Sequence, residues 1–264
     1  MTTIQTATHG SEGGHWYTKS HELVETVQGK QGMVEPTLRH ARQLQLAPGV
    51  TTILRMADKP ALNVYFVKQA IMAALTLPRK DGEDDDSYVA RVIKDSKEAG
   101  RKAAEAGTKI HAEVQHANDD IAIPSAHAMA VRNYLHMAFG DRKWLSEAVC
   151  TSLLGYGTKA DLHTEDGLLL DIKTKDDVDP FEMVTFGDQW EQLAATEQAL
   201  IGRFGYQPFK VRGILYVSRT VPTDIVLKEI SEQEYQEGWQ RFKLLLAYWQ
   251  VSKRYRPEWA TCTS

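Results

Sequence analysis

The 264-residue chain has only two cysteines, Cys150 and Cys262, and neither lies in a CxxC pair. The sequence therefore excludes a four-cysteine zinc or iron–sulfur site. It has no run of about 18 apolar residues that could span a bilayer. It also lacks a GxxxxGK[ST] phosphate-binding loop, so we expect no ATP hydrolysis by this chain.

The first residues, MTTIQTATHGSEGGHW, lack the basic start and apolar core of a secretory signal, and they contain no Arg. We therefore expect residues 1–14 to form a flexible tail rather than a leader. The scarcity of cysteine suits a reducing cytoplasm without requiring it. The net charge of −4 means that any nucleic-acid contact must come from a local basic patch.

Hydrophobic spacing predicts helices in the first half of the chain and mostly strands in the second half. The predicted helices are 61–75, 88–118 with Ser87 as its N-cap, one opened by Pro124 and ending near Gly140, about 186–200, and a last one with a Ser231/Glu234 capping box. The alternation of residues that is typical of strands predicts strands in 146–174, FKVRGILYVSR and TDIVLKEI. This order predicts one α/β domain over 15–264, in which 15–140 is a mainly helical elaboration and 141–264 the sheet core with the C-terminal helix.

The stretch GYGTKADLHTEDGLLLDIKTK, residues 155–175, is typical of a β-hairpin whose loop is Glu165-Asp166-Gly167. A register centred on Asp166 places Asp161 directly opposite Asp171, with Cβ atoms about 4.5–5.5 Å apart. Lys173 lies two residues beyond Asp171 and therefore on the same face of the strand. The hairpin thus predicts two carboxylates and one ammonium group close together.

Two interpretations of this charged face are open. Opposed carboxylates repel each other, and a divalent cation such as Mg²⁺ or Mn²⁺ would remove that penalty, while Lys173 could orient a water and offset phosphate charge. Alternatively, the face is solvated and Lys173 only neutralises Asp171, an arrangement that is common in antiparallel sheets. The pattern alone favours the second interpretation, and a one-residue slip would remove the opposition.

Asp161, nine further residues and then Asp171-Ile172-Lys173 resemble the core motif of the PD-(D/E)xK nuclease superfamily. The surrounding text, SEAVCTSLLGYGTKADLHTEDGLLLDIKTK, is similar to its RecB-type exonuclease branch. That branch has a Glu in its first strand, a Gly followed by Asp on the second, and D-x-K-T on the third. These match Glu147, the Gly157 to Asp161 stretch, which is one residue longer than usual, and Asp171 to Thr174.

Two helical segments extend the resemblance. GTKIHAEVQ resembles the G-x-x-x-H signature of the branch, with His111 as the expected metal ligand, although a lone histidine on a helix is more often structural. DQWEQLAATEQAL resembles its Q-x-x-x-Y helix, with Gln192 in the Gln position and Thr196 where Tyr is usual. GVTTILRMADKPALNVYFVKQAI is similar to the start of phage-type and mitochondrial genome-maintenance exonucleases, so the resemblance covers about residues 49–217.

The resemblance implies an α/β PD-(D/E)xK restriction-endonuclease-like core, a central mixed sheet flanked by helices, with an N-terminal helical elaboration. It implies a metal-dependent DNA exonuclease that hydrolyses phosphodiester bonds from DNA ends in phage or bacterial replication, recombination or repair. In that scheme Mg²⁺ or Mn²⁺ binds His111, Asp161, Asp171 and the Ile172 carbonyl. Lys173 orients the attacking water, while Glu147 and Gln192 position that water or the strand.

The implied partner is DNA with a free end, with a single-strand-annealing or single-strand-binding protein as a further candidate and no membrane. The implied location is the cytoplasm of a bacterial cell or a phage-infected host. Two alternatives stay open: a structure-specific endonuclease of the same superfamily, and a non-catalytic DNA-binding recombination partner. The sequence leaves polarity, strand preference, oligomeric state and the number of metal ions undecided.

Overall fold

The computed structural model describes residues 14–30, 32–119, 123–179 and 187–261. In chain order its elements are β1 (Trp16–Tyr17), β2 (Leu23–Val24), β3 (Val27–Gly29), β4 (Gly32–Val34), α1 (Leu38–Leu44), β5 (Ala47–Pro48), α2 (Val50–Leu54), α3 (Pro60–Thr76), α4 (Asp85–Asn118), α5 (Ala126–Phe139), β6 (Leu145–Ser152), β7 (Tyr156–His163), β8 (Leu168–Lys175), α6 (Gly187–Phe204), β9 (Val211–Ser218), β10 (Ile225–Glu229) and α7 (Glu232–Lys253). Of the predicted tail, only Gly14 lies inside the described residues.

A five-stranded sheet in the order β10-β9-β8-β7-β6 forms the centre of the fold. Strands β8 and β9 run parallel, and the other neighbours are antiparallel. A parallel pair needs a crossover, and the segment that contains α6 supplies it. The predicted α/β class, with a mixed sheet flanked by helices and an N-terminal helical elaboration, is confirmed.

The sheet is covered on both faces, so β8 reads as a nearly continuous apolar run before its charged end. One core cluster joins the sheet to α6 and α7 and includes Leu169, Leu193 and Phe242. The other joins it to α4 and α5 and includes Leu170 and Val131. Successive β8 residues therefore enter opposite clusters, as the alternation of side chains along a strand requires.

The first residues of α4, α5 and α7 can be compared with the predicted N-caps. The prediction of Ser87 as an N-cap is wrong: Asp84 caps α4, and its carboxylate accepts a hydrogen bond from the Ser87 amide at 2.9 Å. Asp and Ser cap equally well, so residue type alone does not favour Ser87 over Asp84. Ser125 caps α5 directly after Pro124, and the Ser231/Glu234 capping box of α7 is confirmed.

Helices α3 and α4 form a helical hairpin, defined here as Pro60 to Ile93, outside the central sheet. Its closed end is well bonded, because the Tyr88 hydroxyl donates to the Ala74 and Leu77 carbonyls at 2.9 and 3.1 Å. Within the described ranges, no helix is long and apolar enough to cross a membrane.

Candidate metal centre

The β7–β8 hairpin has the predicted register. Leu162 pairs with Leu170, and the Thr164 amide donates to the Leu168 carbonyl at 2.9 Å, so the pairing is centred on Asp166. The ladder stops at the Leu162–Leu170 pair, immediately before the two aspartates of interest.

The carboxylate of Asp161 takes the place of the next backbone bond. In a continued ladder the Ile172 amide would donate to the β7 backbone. It donates instead to Asp161 Oδ2 at 2.7 Å. The expected direct ladder pair between Asp161 and Asp171 is therefore not formed, because a side chain ends the pairing where the charged residues begin.

Gly107 brings α4 close enough to this site to deliver His111. A Cβ atom at position 107 would lie 2.6 Å from Thr174 Oγ1, at the end of β8, so a side chain there would overlap Thr174. His111 lies one helical turn further along the same face. Its Nδ1 lies 3.6 Å from Asp161 Oδ2. The glycine of the G-x-x-x-H signature thus has a direct packing reason.

Two neighbours of His111 on α4 lie on different sides of the helix. Gln115 lines the same cavity as His111. Glu113 points elsewhere and accepts a hydrogen bond from Ser125 Oγ at 2.7 Å. The Glu113 carboxylate is therefore engaged by α5 and not by the side chains around His111.

Glu147 occupies a strained backbone position at the edge of the site. It lies between two β6–β7 pairs, Ser146–Leu162 and Ala148–Ala160, without being paired itself. Its φ of 54° is in the left-handed region, which costs a non-glycine residue energy and is often found at functional sites. Its carboxylate forms an ion pair with the Lys159 ammonium.

His111, Glu147 and Asp161 together offer a set of metal-ligand atoms. One ligand atom from each lies within 4.8 Å of the other two. The structure thus brings together the expected ligands His111 and Asp161 and adds Glu147, which the resemblance had assigned to positioning. Ile172 contributes its amide to the site, and a ligand role of its carbonyl stays a prediction.

Asp171 is engaged differently from the other acidic groups. Its Oδ2 lies 2.7 Å from Lys173 Nζ, and its Oδ1 accepts a hydrogen bond from Gln192 Nε2 at 2.8 Å. Lys173 Nζ in turn donates to Gln192 Oε1 at 3.2 Å. These three side chains form a closed triangle between β8 and α6.

Burial and neighbouring charges set the protonation of these groups. Burial alone would lower the pKa of Lys173, but the carboxylates of Asp171 and Asp161 outweigh it and raise that pKa. Burial raises the pKa of Asp171, and the charge of Asp161 adds to that effect. For Asp161, burial is outweighed by His111 and Lys173, so its pKa is lowered.

The other two ligand groups have raised pKa values for different reasons. Burial raises the pKa of Glu147, and the charge of Asp161 contributes to the rise while Lys159 opposes it. Burial would lower the pKa of His111, but the nearby carboxylate of Asp161 raises it overall. The raised pKa of Glu147 shows that keeping its carboxylate ionised here without a cation has an electrostatic cost.

A cavity of about 530 Å³ opens over these groups and is lined in part by residues that sequence reasoning missed. Lys159 could have been found, because it precedes Asp161 by two residues on one strand. Arg219 had no sequence signal: it follows β9, and its Nη1 donates to the Thr174 carbonyl at 3.0 Å.

Thr196 does not line the cavity. Its side chain is buried, and its hydroxyl shares a hydrogen bond of 2.9 Å with the hydroxyl of Thr158 on β7. A threonine at this position packs into the α6–β7 contact instead of reaching the site.

The chain is similar to several solved exonuclease structures. No protein-family model and no curated protein matches it. An alkaline exonuclease from Laribacter hongkongensis is 15% identical, with 73% of this chain and 95% of that chain covered and a TM-score of 0.39. The structure of that enzyme with dAMP gives 14% identity, coverage of 71% and 88%, and a TM-score of 0.37.

A protein from Eubacterium rectale assigned as an exonuclease is 14% identical, with coverage of 70% and 68% and a TM-score of 0.37. All three TM-scores are below 0.5, so these likenesses are partial.

Proposed function

We propose that this chain is a divalent-metal-dependent deoxyribonuclease that hydrolyses phosphodiester bonds from DNA ends. The observation that supports this most strongly is the set of His111, Glu147 and Asp161 ligand atoms within 4.8 Å of one another. Lys173, whose side chain is partly exposed, lies beside them with its ammonium fixed by Asp171. Ligands for a cation next to a positioned ammonium group suit phosphodiester cleavage.

The residues present fit a hard divalent cation. Two carboxylates and one imidazole provide oxygen and nitrogen donors without any thiolate, which suits Mg²⁺ or Mn²⁺. The raised pKa of Glu147, caused by burial and then by the charge of Asp161, is the penalty that a cation would relieve. When bound, such a cation supplies Lewis-acid activation of the phosphate and of a water molecule. The Asp171 carboxylate and the Ile172 carbonyl are proposed as further ligands from β8.

Lys173 acts in this proposal as a donor rather than as a base. Its raised pKa keeps the ammonium protonated near neutral pH, so it can donate hydrogen bonds to a water or to a phosphate oxygen. Asp171 and Gln192 hold Nζ from two sides and thereby fix its direction. An ammonium fixed in advance stabilises developing negative charge without reorganising at the moment of reaction.

In this proposal two further cations hold the DNA strand. Lys159 and Arg219 line the same cavity as Lys173. Contacts from such residues to phosphates position a nucleic acid without reading its sequence. The proposed substrate is therefore a DNA end bound through its backbone.

The finer parts of the proposal come from the sequence resemblance. They are exonuclease rather than endonuclease action, a role in phage or bacterial replication, recombination or repair, a cytoplasmic location, and a single-strand-annealing or single-strand-binding protein as a partner. A non-catalytic DNA-binding role is the main competitor. Retention of Asp161, Asp171 and Lys173 speaks against that role.

The test is digestion of end-labelled single-stranded and duplex DNA with Mg²⁺ or Mn²⁺. Asp171→Ala removes the partner of Lys173, and we expect it to lose the metal-dependent cleavage of the wild type. Asp166→Ala is the matched control, because Asp166 is a carboxylate in the exposed loop of the same hairpin. Equal slow background for wild type and Asp171→Ala would refute the enzyme proposal. Cutting of a covalently closed circle would favour an endonuclease, and binding without cleavage the non-catalytic role.

A further inference from the structure

Helix α3 is apolar around its whole circumference and yet largely exposed. Eight large apolar side chains on α3 are between 41% and 76% exposed: Leu62, Val64, Tyr65, Phe66, Val67, Ile71, Met72 and Leu75. The facing turns of α4 add Val89 and Ile93, which are about half exposed. A helix that is apolar all round is normally buried, so this hairpin surface lacks its cover within the described part of the chain.

The size of this surface matches a protein interface. Aromatic side chains such as Tyr65 and Phe66 offer roughly 150–250 Å² each and the aliphatic ones less, so ten that are about half exposed present several hundred to about 1,000 Å². The largest apolar patch on a typical monomer is about 300–600 Å². A stable association needs about 800 Å² from each partner, which one hairpin can provide.

The charge of α3 indicates which class of partner could bind this surface. Its sequence, PALNVYFVKQAIMAALT, contains a single charged residue, Lys68. A nucleic acid or an anionic lipid surface would require a series of Lys or Arg side chains, which α3 does not have. The surface therefore fits another apolar protein surface better than DNA or a membrane.

The hairpin is also held in a defined shape before anything binds. Arg91 makes an ion pair with Glu83 at 2.7 Å and donates to the Pro78 carbonyl at 2.8 Å, which closes its outer end. At its base, Lys59 Nζ lies 2.7 Å from Asp188 Oδ2 on α6. A preformed surface avoids much of the ordering cost of association.

We propose that this hairpin is a dimerisation surface whose occupant is the same hairpin of a second copy of this chain. Two antiparallel helical hairpins packed face to face make a four-helix arrangement, and a two-fold axis makes the same apolar patch serve on both sides. The surface lies outside the metal centre, so the proposal does not depend on the nuclease activity.

The test is the molar mass of the full-length protein in solution, measured by light scattering over a range of concentrations. The wild type is expected at twice its chain mass of 29.7 kDa. The double variant Val64→Glu/Leu75→Lys is expected at the single-chain mass. Both changes favour the helix, because a glutamate at position 64 would pair with Lys68 four residues on and a lysine suits the last turn. A circular dichroism melt then separates loss of association from loss of folding.

The matched control is Leu244→Lys/Val251→Lys, which changes two exposed apolar residues of α7 and is expected to remain dimeric. Raising NaCl from about 0.1 to 1 M is expected to leave the dimer intact, because an apolar interface is not screened. A monomeric wild type at all concentrations would overturn the proposal. So would a dimer that survives the α3 changes, or an assembly of more than two copies.

Discussion

Helix α4 approaches β8 closely at Gly107. Whether a larger residue at position 107 raises or lowers the stability of the protein is expected to depend on Thr174. A Cβ at position 107 would lie 2.6 Å from Thr174 Oγ1, whereas the next Thr174 atom is at 3.8 Å. One oxygen atom thus causes the whole overlap. Overpacking of this kind costs about 1–3 kcal/mol, and replacing Gly by Ala within a helix returns about 1 kcal/mol.

Gly107→Ala is therefore expected to destabilise the protein by about 0–2 kcal/mol in the wild-type background. In a Thr174→Ala background the atom of residue 174 nearest to the added Cβ would be its own Cβ, which lies at ordinary contact distance. There the same change is expected to stabilise by up to about 1 kcal/mol, which gives a coupling of about 1–3 kcal/mol between the two sites.

Urea denaturation of the four proteins of this cycle measures the coupling, and the m-values show whether two-state unfolding is kept. Because His111 lies one turn beyond Gly107, we also expect weaker Mn²⁺ binding in Gly107→Ala and recovery in the double variant. An equal effect of Gly107→Ala in both backgrounds would refute the packing explanation of the G-x-x-x-H glycine.

Three further predictions concern ionisable side chains. His163 is buried among Phe204, Tyr206 and Phe209, and burial lowers its pKa from 6.5 to about 4. Its neutral ring stabilises the fold fully above pH 6.5, and this contribution is lost as pH falls towards 4. Between about pH 7.5 and 4.5 the free energy of unfolding, measured by urea titration, should therefore fall by about 2 kcal/mol less in His163→Phe than in the wild type. An equal fall in the two proteins would contradict this. The pKa of His111 is raised, and a proton competes with a metal ion for its ring nitrogen. The affinity for Mn²⁺, measured by calorimetry, should therefore increase from about pH 6 to 8.5. An affinity that does not change with pH would count against His111 as a ligand. Lys159→Gln removes the cation paired with Glu147 and should tighten Mn²⁺ binding several-fold, unlike Lys210→Gln on the surface; weaker binding would show that Lys159 supports the site instead.

The register of the β7–β8 hairpin could be predicted because local chemistry specifies it. The loop ending in Gly167 needs a positive φ, observed at 106°, and this fixes the centre of pairing at Asp166. The alternation of side chains then places Asp171 and Lys173 on one strand face, as the structure has them. The α/β class follows from the same periodicities over longer stretches.

The rest depends on packing between distant segments, which spacing does not encode. The insertion of the Asp161 carboxylate against the Ile172 amide depends on how far β7 and β8 diverge. The burial of Thr196 depends on the approach of α6 to Thr158. The place of Arg219 depends on a parallel strand whose partner lies far away in sequence, on the other side of α6.

The most direct measurement of the central claim is a crystal structure of the protein grown with Mn²⁺, with anomalous data collected at the manganese edge. We expect one anomalous peak within about 2.0–2.3 Å of ligand atoms from His111, Glu147 and Asp161. The peak should be absent from crystals of Asp161→Asn grown in the same way. A wild-type map with no peak among these three side chains, or with manganese bound elsewhere only, would contradict the assignment of this cluster as a metal centre.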